Sequence, residues 1–218
     1  MKKALVISGQ SRFVKEGHVA FKKNLHNFEE YDVFVHNWIG EHNVDVTVYN
    51  PKSVLFEYQK PVLPPEIKEC SEDVFRTCSM FFSMKEALAL KRKHEQDNNF
   101  RYDLVVWTRF DVALESPLNP EVYDLKNNVY SPNVCANPSV ISDWLNFSSS
   151  ENMDVYGEIH SNIVNLYKKG SAPNSGEDLI THMLREHNIP IRKIPCELWL
   201  LRDRSKHQVL STYWKYAN

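Results

Sequence analysis

The chain has 218 residues, 26 Lys and Arg against 28 Asp and Glu, and a formal net charge of −2. Near neutrality gives no electrostatic footprint for nucleic acid or an anionic membrane as main partner. The length, with 42% hydrophobic residues, suits one globular domain over 1–218 that needs neither disulfide nor structural metal to fold.

The apolar run at 4–7 follows two lysines and is too short for the core of a signal peptide. No run approaches the length of a membrane span. Cys70, Cys78, Cys135 and Cys196 form no C-x-x-C pair, so the expectation is a cytoplasmic protein with reduced thiols.

Residues 4–7 read as a buried strand of a parallel sheet. The loop after it offers Ser8, Gly9, Gln10 and Arg12: a glycine for close backbone approach, then donors for base or phosphate. An ordinary turn with a surface arginine is the plain alternative. A helix is expected over 18–28 and a second strand over 31–36, ending in His36 and followed by Trp38. A third strand is expected at 44–49 or at 53–58. Prolines 61, 64 and 65 precede a long helix over 71–94, whose apolar residues recur near the 3.6 period.

Residues 103–108 read as another buried strand, running straight into Arg109-Phe110-Asp111. Residues two apart on an extended chain face the same side, so Arg109 and Asp111 stand together. A carboxylate there is able to hold a cation and an arginine to bind phosphate; a plain ion pair at a strand end is the alternative. Residues 128–138 read as a loop with a short strand at Val129 and Tyr130. Asp143 and Trp144 offer a carboxylate for a sugar hydroxyl and an aromatic platform for a sugar face. A helix is expected over 154–169. Ser175 and Asp178 have capping-box spacing and open another helix, whose first turn carries Glu177 and Asp178. Those acids serve either as a general base or as partners of the helix dipole. An edge strand is expected over 189–194, interrupted by Pro190. Arg204 and His207 follow in a basic tail, with a solvated surface histidine the plain reading.

Strands alternating with helices predict an α/β, Rossmann-like fold with a mostly parallel central sheet flanked by helices. Three strands end in polar clusters, at 8–12, 36–38 and 109–111, and ligands in such sheets bind at the C-terminal strand ends.

Four stretches carry a resemblance: Leu5-Val6-Ile7-Ser8-Gly9-Gln10-Ser11-Arg12, Asp32-Val33-Phe34-Val35-His36-Asn37-Trp38, Tyr102 through Asp111, and Gly176-Glu177-Asp178-Leu179. Together they resemble bacterial and viral glycosyltransferase-like proteins of the GT-A fold. The resemblance implies a nucleotide-sugar donor, a glycan or glycoconjugate acceptor, and a Mn²⁺ or Mg²⁺ ion held by an Asp-x-Asp motif. Arg109-Phe110-Asp111 departs from that motif in its first acid. By the same resemblance Glu177 or Asp178 supplies the base of an inverting transfer. Asp111 and His207 are the metal candidates, and Ser8, Gly9, Gln10, Arg12, His36, Arg109, Asp111, Asp143, Trp144 and Arg204 the donor-binding set. Two rival readings stand beside it, a sugar nucleotidyltransferase and a non-catalytic nucleotide-sugar binder. A single glycine in the first loop speaks against the nucleotidyltransferase.

Overall fold

The computed structural model describes residues 1–39, 45–67, 71–135, 139–170 and 175–201. Its strands are β1 (Lys3–Gln10), β2 (Tyr31–Ile39), β3 (Ser53–Tyr58), β4 (Leu104–Thr108), β5 (Val112–Leu114), β6 (Val129–Pro132), β7 (Leu145–Ser148), β8 (Ile191–Ile194) and β9 (Leu198–Leu200). Its helices are α1 (Val14–Asn24), α2 (Glu72–Asp97), α3 (Ser150–Lys168) and α4 (Gly176–Glu186). Seven strands form one sheet in the order β3-β2-β1-β4-β7-β6-β8, and β5 pairs with β9 apart from it. The first four sheet strands are mutually parallel; β7 runs antiparallel to both β4 and β6. The fold is therefore α/β with a mostly parallel sheet, as the alternation of elements predicts.

Each central strand is apolar on both faces because both are covered. Ala4 and Val6 of β1 pack with Phe81, Met84 and Leu88 of α2 and Tyr156 of α3. Leu5 and Ile7 face the other way, toward Val14 and Phe21 of α1 and toward Phe110. The two-residue period of the strand thus divides the core into two layers. Among the described residues no helix is long and apolar enough to cross a membrane.

Several local expectations are corrected. The helix expected over 18–28 starts at Val14 and ends at Asn24. Phe13 takes a left-handed conformation (φ 55°), and its carbonyl accepts the Gly17 N–H at 2.9 Å. Leu25 is then extended and bridges Leu118, which ends the helix. Of the two candidates for a third strand, 53–58 forms it. Residues 46–49 instead make a 3-10 turn, whose Thr47 N–H is capped by the Asp45 carboxylate at 2.8 Å. The helix expected from 154 begins at Ser150, where the Ser149 hydroxyl caps the N–H of Asn152. Val129 and Tyr130 do lie in a strand, and β7 is a strand where none was expected.

Candidate functional site

The chain leaves β1 toward β2 and β3 on one side and returns to β4 on the other, so strand order reverses between β1 and β4. Crevices open at such reversals, beyond the carboxyl ends of the strands. A cleft of about 600 Å³ lies there. It gathers Ser8, Gly9, Gln10 and Arg12 after β1, Arg109 and Asp111 after β4, Asp143 before β7, and Glu177 in the first turn of α4. Four distant stretches of sequence meet in one place.

Arg109 is the centre of the charge distribution. Its Nε and one terminal nitrogen donate to the two oxygens of Asp111, at 3.0 and 2.9 Å. Burial disfavours the charged guanidinium, but Asp111, Asp143 and Glu177 outweigh it and hold the group firmly protonated. One part-buried cation thus interacts with three carboxylates. Burial, then Asp143, pushes the Glu177 carboxyl above its ordinary range, against the pull of its own backbone N–H and of the Ser175 hydroxyl. A carboxylate raised in this way is a stronger base.

Glycine matters at three points of this geometry. Gly9 has φ of 121°, and a Cβ there would meet nothing within 4 Å, so backbone lies open to the cleft. A Cβ at Gly17 would stand 2.5 Å from the Phe110 carbonyl oxygen, so α1 presses directly on the segment between Arg109 and Asp111. A Cβ at Gly176 would come within 2.8 Å of Met80 and 3.1 Å of Asp143 Oδ2, which places α4 tightly against the cleft acids. The Ser175 hydroxyl fixes that helix start by accepting the Asp178 N–H at 3.1 Å, as the capping-box spacing predicts.

Some expected residues play other parts. His36 does not line the cleft. It is fully buried, with Nδ1 2.7 Å from Ser83 Oγ and Nε2 3.1 Å from Glu57 Oε2, and it packs edge-on against Trp38. It supports the cleft wall. Ser8 is buried at the cleft floor, where its hydroxyl accepts the Trp107 indole N–H at 2.9 Å. Trp144 and Asp178 line a neighbouring cavity instead of the main cleft. Arg204 and His207 lie outside the described residues. Periodicity gave no sign of Gln59 and Arg76, which the fold brings to the cleft. The Gln10 amide donates to Gln59 Oε1 at 2.9 Å, and the Gln59 amide to Ser79 Oγ at 3.3 Å.

Of the two metal candidates, His207 lies outside the described residues and Asp111 is engaged by Arg109. Both Asp111 oxygens already accept from Arg109. Among the described residues no group of three or more His, Cys, Asp or Glu side chains is arranged to hold a metal. No protein-family model matches the chain, and no curated protein matches it.

Proposed function

We propose that this protein transfers a sugar from a nucleotide-diphosphate sugar to a hydroxyl of a glycan or glycoconjugate, with a cleft built in the GT-A manner. The observation that carries the reading is the convergence, at the β1–β4 reversal, of an open glycine turn, arginines and an excess of carboxylates. The donor's nucleotide lies along the Gly9–Gln10 turn. Arg12 and Arg76, the cleft cations outside the Arg109–Asp111 pair, face the diphosphate. Sugar hydroxyls donate to Asp143 and Asp111, whose positions Arg109 fixes. Glu177 takes the proton of the acceptor hydroxyl, and that oxygen forms a bond to the anomeric carbon. The bond from the anomeric carbon to the diphosphate oxygen breaks, and its electron pair leaves with the diphosphate. The product anomer is inverted.

The test is thermal denaturation of the purified protein with UDP-, GDP-, CMP- and dTDP-sugars, each with Mn²⁺ and with EDTA. A ligand that binds only the folded state raises the melting temperature. One nucleotide class is expected to do so, and the shift is expected to persist in EDTA. A shift that EDTA abolishes would restore the metal; no shift with any donor would remove the transfer reading.

A further inference from the structure

Glu177 lines two spaces. One is the main cleft; the other is a neighbouring cavity of about 370 Å³. The second cavity combines an indole wall, Trp144, with apolar Val134 and Val140 and with the carboxylates of Glu177 and Asp178. Among the described residues no lysine or arginine lines it directly; the cation beside it, Lys193, donates to the Val140 carbonyl and reaches Glu177. Trp144 is half-buried and borders the cavity. Its backbone is fixed: the N–H donates to Ser142 Oγ at 3.1 Å, and the carbonyl accepts from Thr108 Oγ1 at 3.0 Å. The platform is therefore tied to the end of β4, beside Arg109.

We propose that this cavity is the acceptor subsite, and that it takes a neutral, hydroxyl-rich ring such as the terminal pyranose of an uncharged glycan. An indole face offers apolar area at low entropic cost to the C–H face of a sugar ring. Carboxylates accept hydrogen bonds from hydroxyls but repel a phosphate or a uronic acid, and Lys193, whose amine is engaged by the Val140 carbonyl, leaves the two lining acids in excess. A hydroxyl held here lies beside Glu177, which also borders the donor cleft, so one side chain reaches both reactants. Trp144 and Asp143 are thus adjacent in sequence but serve opposite sides of the reaction. The acceptor role rests on the transfer reading above; the preference for neutral rings rests on the cavity alone.

The test uses the full chain and saturation-transfer NMR. The probes are methyl β-glucopyranoside, methyl β-galactopyranoside and methyl α-mannopyranoside, with methyl β-glucuronide and glucose 6-phosphate as anionic counterparts. At least one neutral glycoside is expected to show transfer to its ring protons, and both anions none. Val140→Trp fills the cavity without removing a packed group and is expected to abolish the signal. Trp144→Ala is expected to weaken binding by about tenfold. Circular dichroism verifies that each variant folds, and the nucleotide-sugar melting shift is measured in parallel. Absence of any neutral signal, equal binding of the anions, or a signal that survives both variants overturns the proposal. A nucleotide-sugar shift without glycoside binding overturns the acceptor subsite alone. Glycoside binding lost in Val140→Trp, with no nucleotide-sugar shift, keeps the neutral cavity and overturns the transfer reading.

Discussion

Two charge clusters sit at opposite ends of α2 and of the central strands, and they are built differently. At the amino end of β4, Lys91 contacts Asp154 at 2.7 Å, Glu95 at 3.1 Å and the Ser150 hydroxyl at 2.5 Å. Arg101 adds a 2.7 Å bond to the second Asp154 oxygen, and Glu95 also accepts from Ser150 and from the Tyr102 N–H. Burial pushes the Asp154 carboxyl up, but Lys91, Arg101 and Arg92 together hold it below its ordinary range. Three cations face two carboxylates, hydroxyl and backbone donors complete the set, and Lys91 and Glu95 are shut from solvent. At the carboxyl end, roughly 22 Å away along the helix, Arg109 interacts with three carboxylates beside open space. The first cluster is compensated and closed, which is what a structural network requires. The second places carboxylates at the wall of an open cleft, the setting that the proposed donor site requires.

That contrast is broken or sharpened by a pair of variants with opposite signatures. Glu177→Gln is expected to lower the transfer rate by about 10²–10⁴-fold, the range of a lost general base. It should not lower stability. The folded carboxyl takes up a proton more readily than the unfolded one, so ionised Glu177 opposes folding increasingly as pH rises past its ordinary carboxyl range. The variant's melting temperature at neutral pH should equal or exceed that of the wild type, with a flatter pH profile. Lys91→Met should do the reverse. It strands buried Glu95 and Asp154, at about 3–5 kcal/mol, or roughly 10 °C in melting temperature. Donor affinity per folded molecule should be unchanged. If Lys91→Met alters donor affinity while Glu177→Gln leaves the rate intact, the roles of the two clusters are exchanged.

Gly17→Ala probes how the open cluster is held in place. The added methyl meets the Phe110 carbonyl oxygen at 2.5 Å, with the Val112 carbonyl oxygen and the Tyr49 hydroxyl both at 3.3 Å. Either α1 lifts or the Arg109–Asp111 segment moves, at about 1–3 kcal/mol. Because the displaced atom lies between Arg109 and Asp111, donor affinity should fall together with stability. A loss of stability with full affinity would place the adjustment in α1.

The ends of strands were legible in the sequence, and so was the capped start of α4, because buried parallel strands and a Ser-x-x-Asp cap leave local signals. β7 left none. Two of its four residues, Asn146 and Ser148, are polar yet fully buried: Asn146 donates to the Ser142 carbonyl, and Ser148 to those of Leu125 and Asn128. Those acceptors come from loops that only the folded chain brings near. Arg76 was hidden for a similar reason. Four residues after Glu72 and paired with it, it reads as an exposed helix pair, and only the seating of α2 on the sheet turns it to the cleft. The start of α1 was obscured by Lys15, Glu16 and Gly17, of which the glycine is fixed by a contact ninety residues away. His36 was misread because a histidine at a strand end looks the same whether it faces a ligand or a core.

The smallest effect concerns that histidine, which belongs to the wall of the open cluster without touching its charges. Burial favours the neutral ring and lowers its pKa; the hydrogen bond to the Glu57 carboxylate and the nearby Glu86 oppose this, and Lys60 adds to it. Below pH ~6.5 the unfolded chain binds a proton that the folded ring resists. Stability is then full above that pH and falls as pH drops through the window down to the folded pKa, by at most ~1.4 kcal/mol per pH unit. Burial also lowers His18 and His160, so they contribute with the same sign. His36→Gln removes one of the three contributions while leaving polar groups for Ser83 and Glu57. Melting temperatures between pH 7.5 and 5 should therefore decline less steeply in the variant than in the wild type. Parallel curves would mean that His36 is charged when folded and ion-paired to Glu57. The wall behind Trp38 would then be held by a salt bridge, in the manner of the closed cluster.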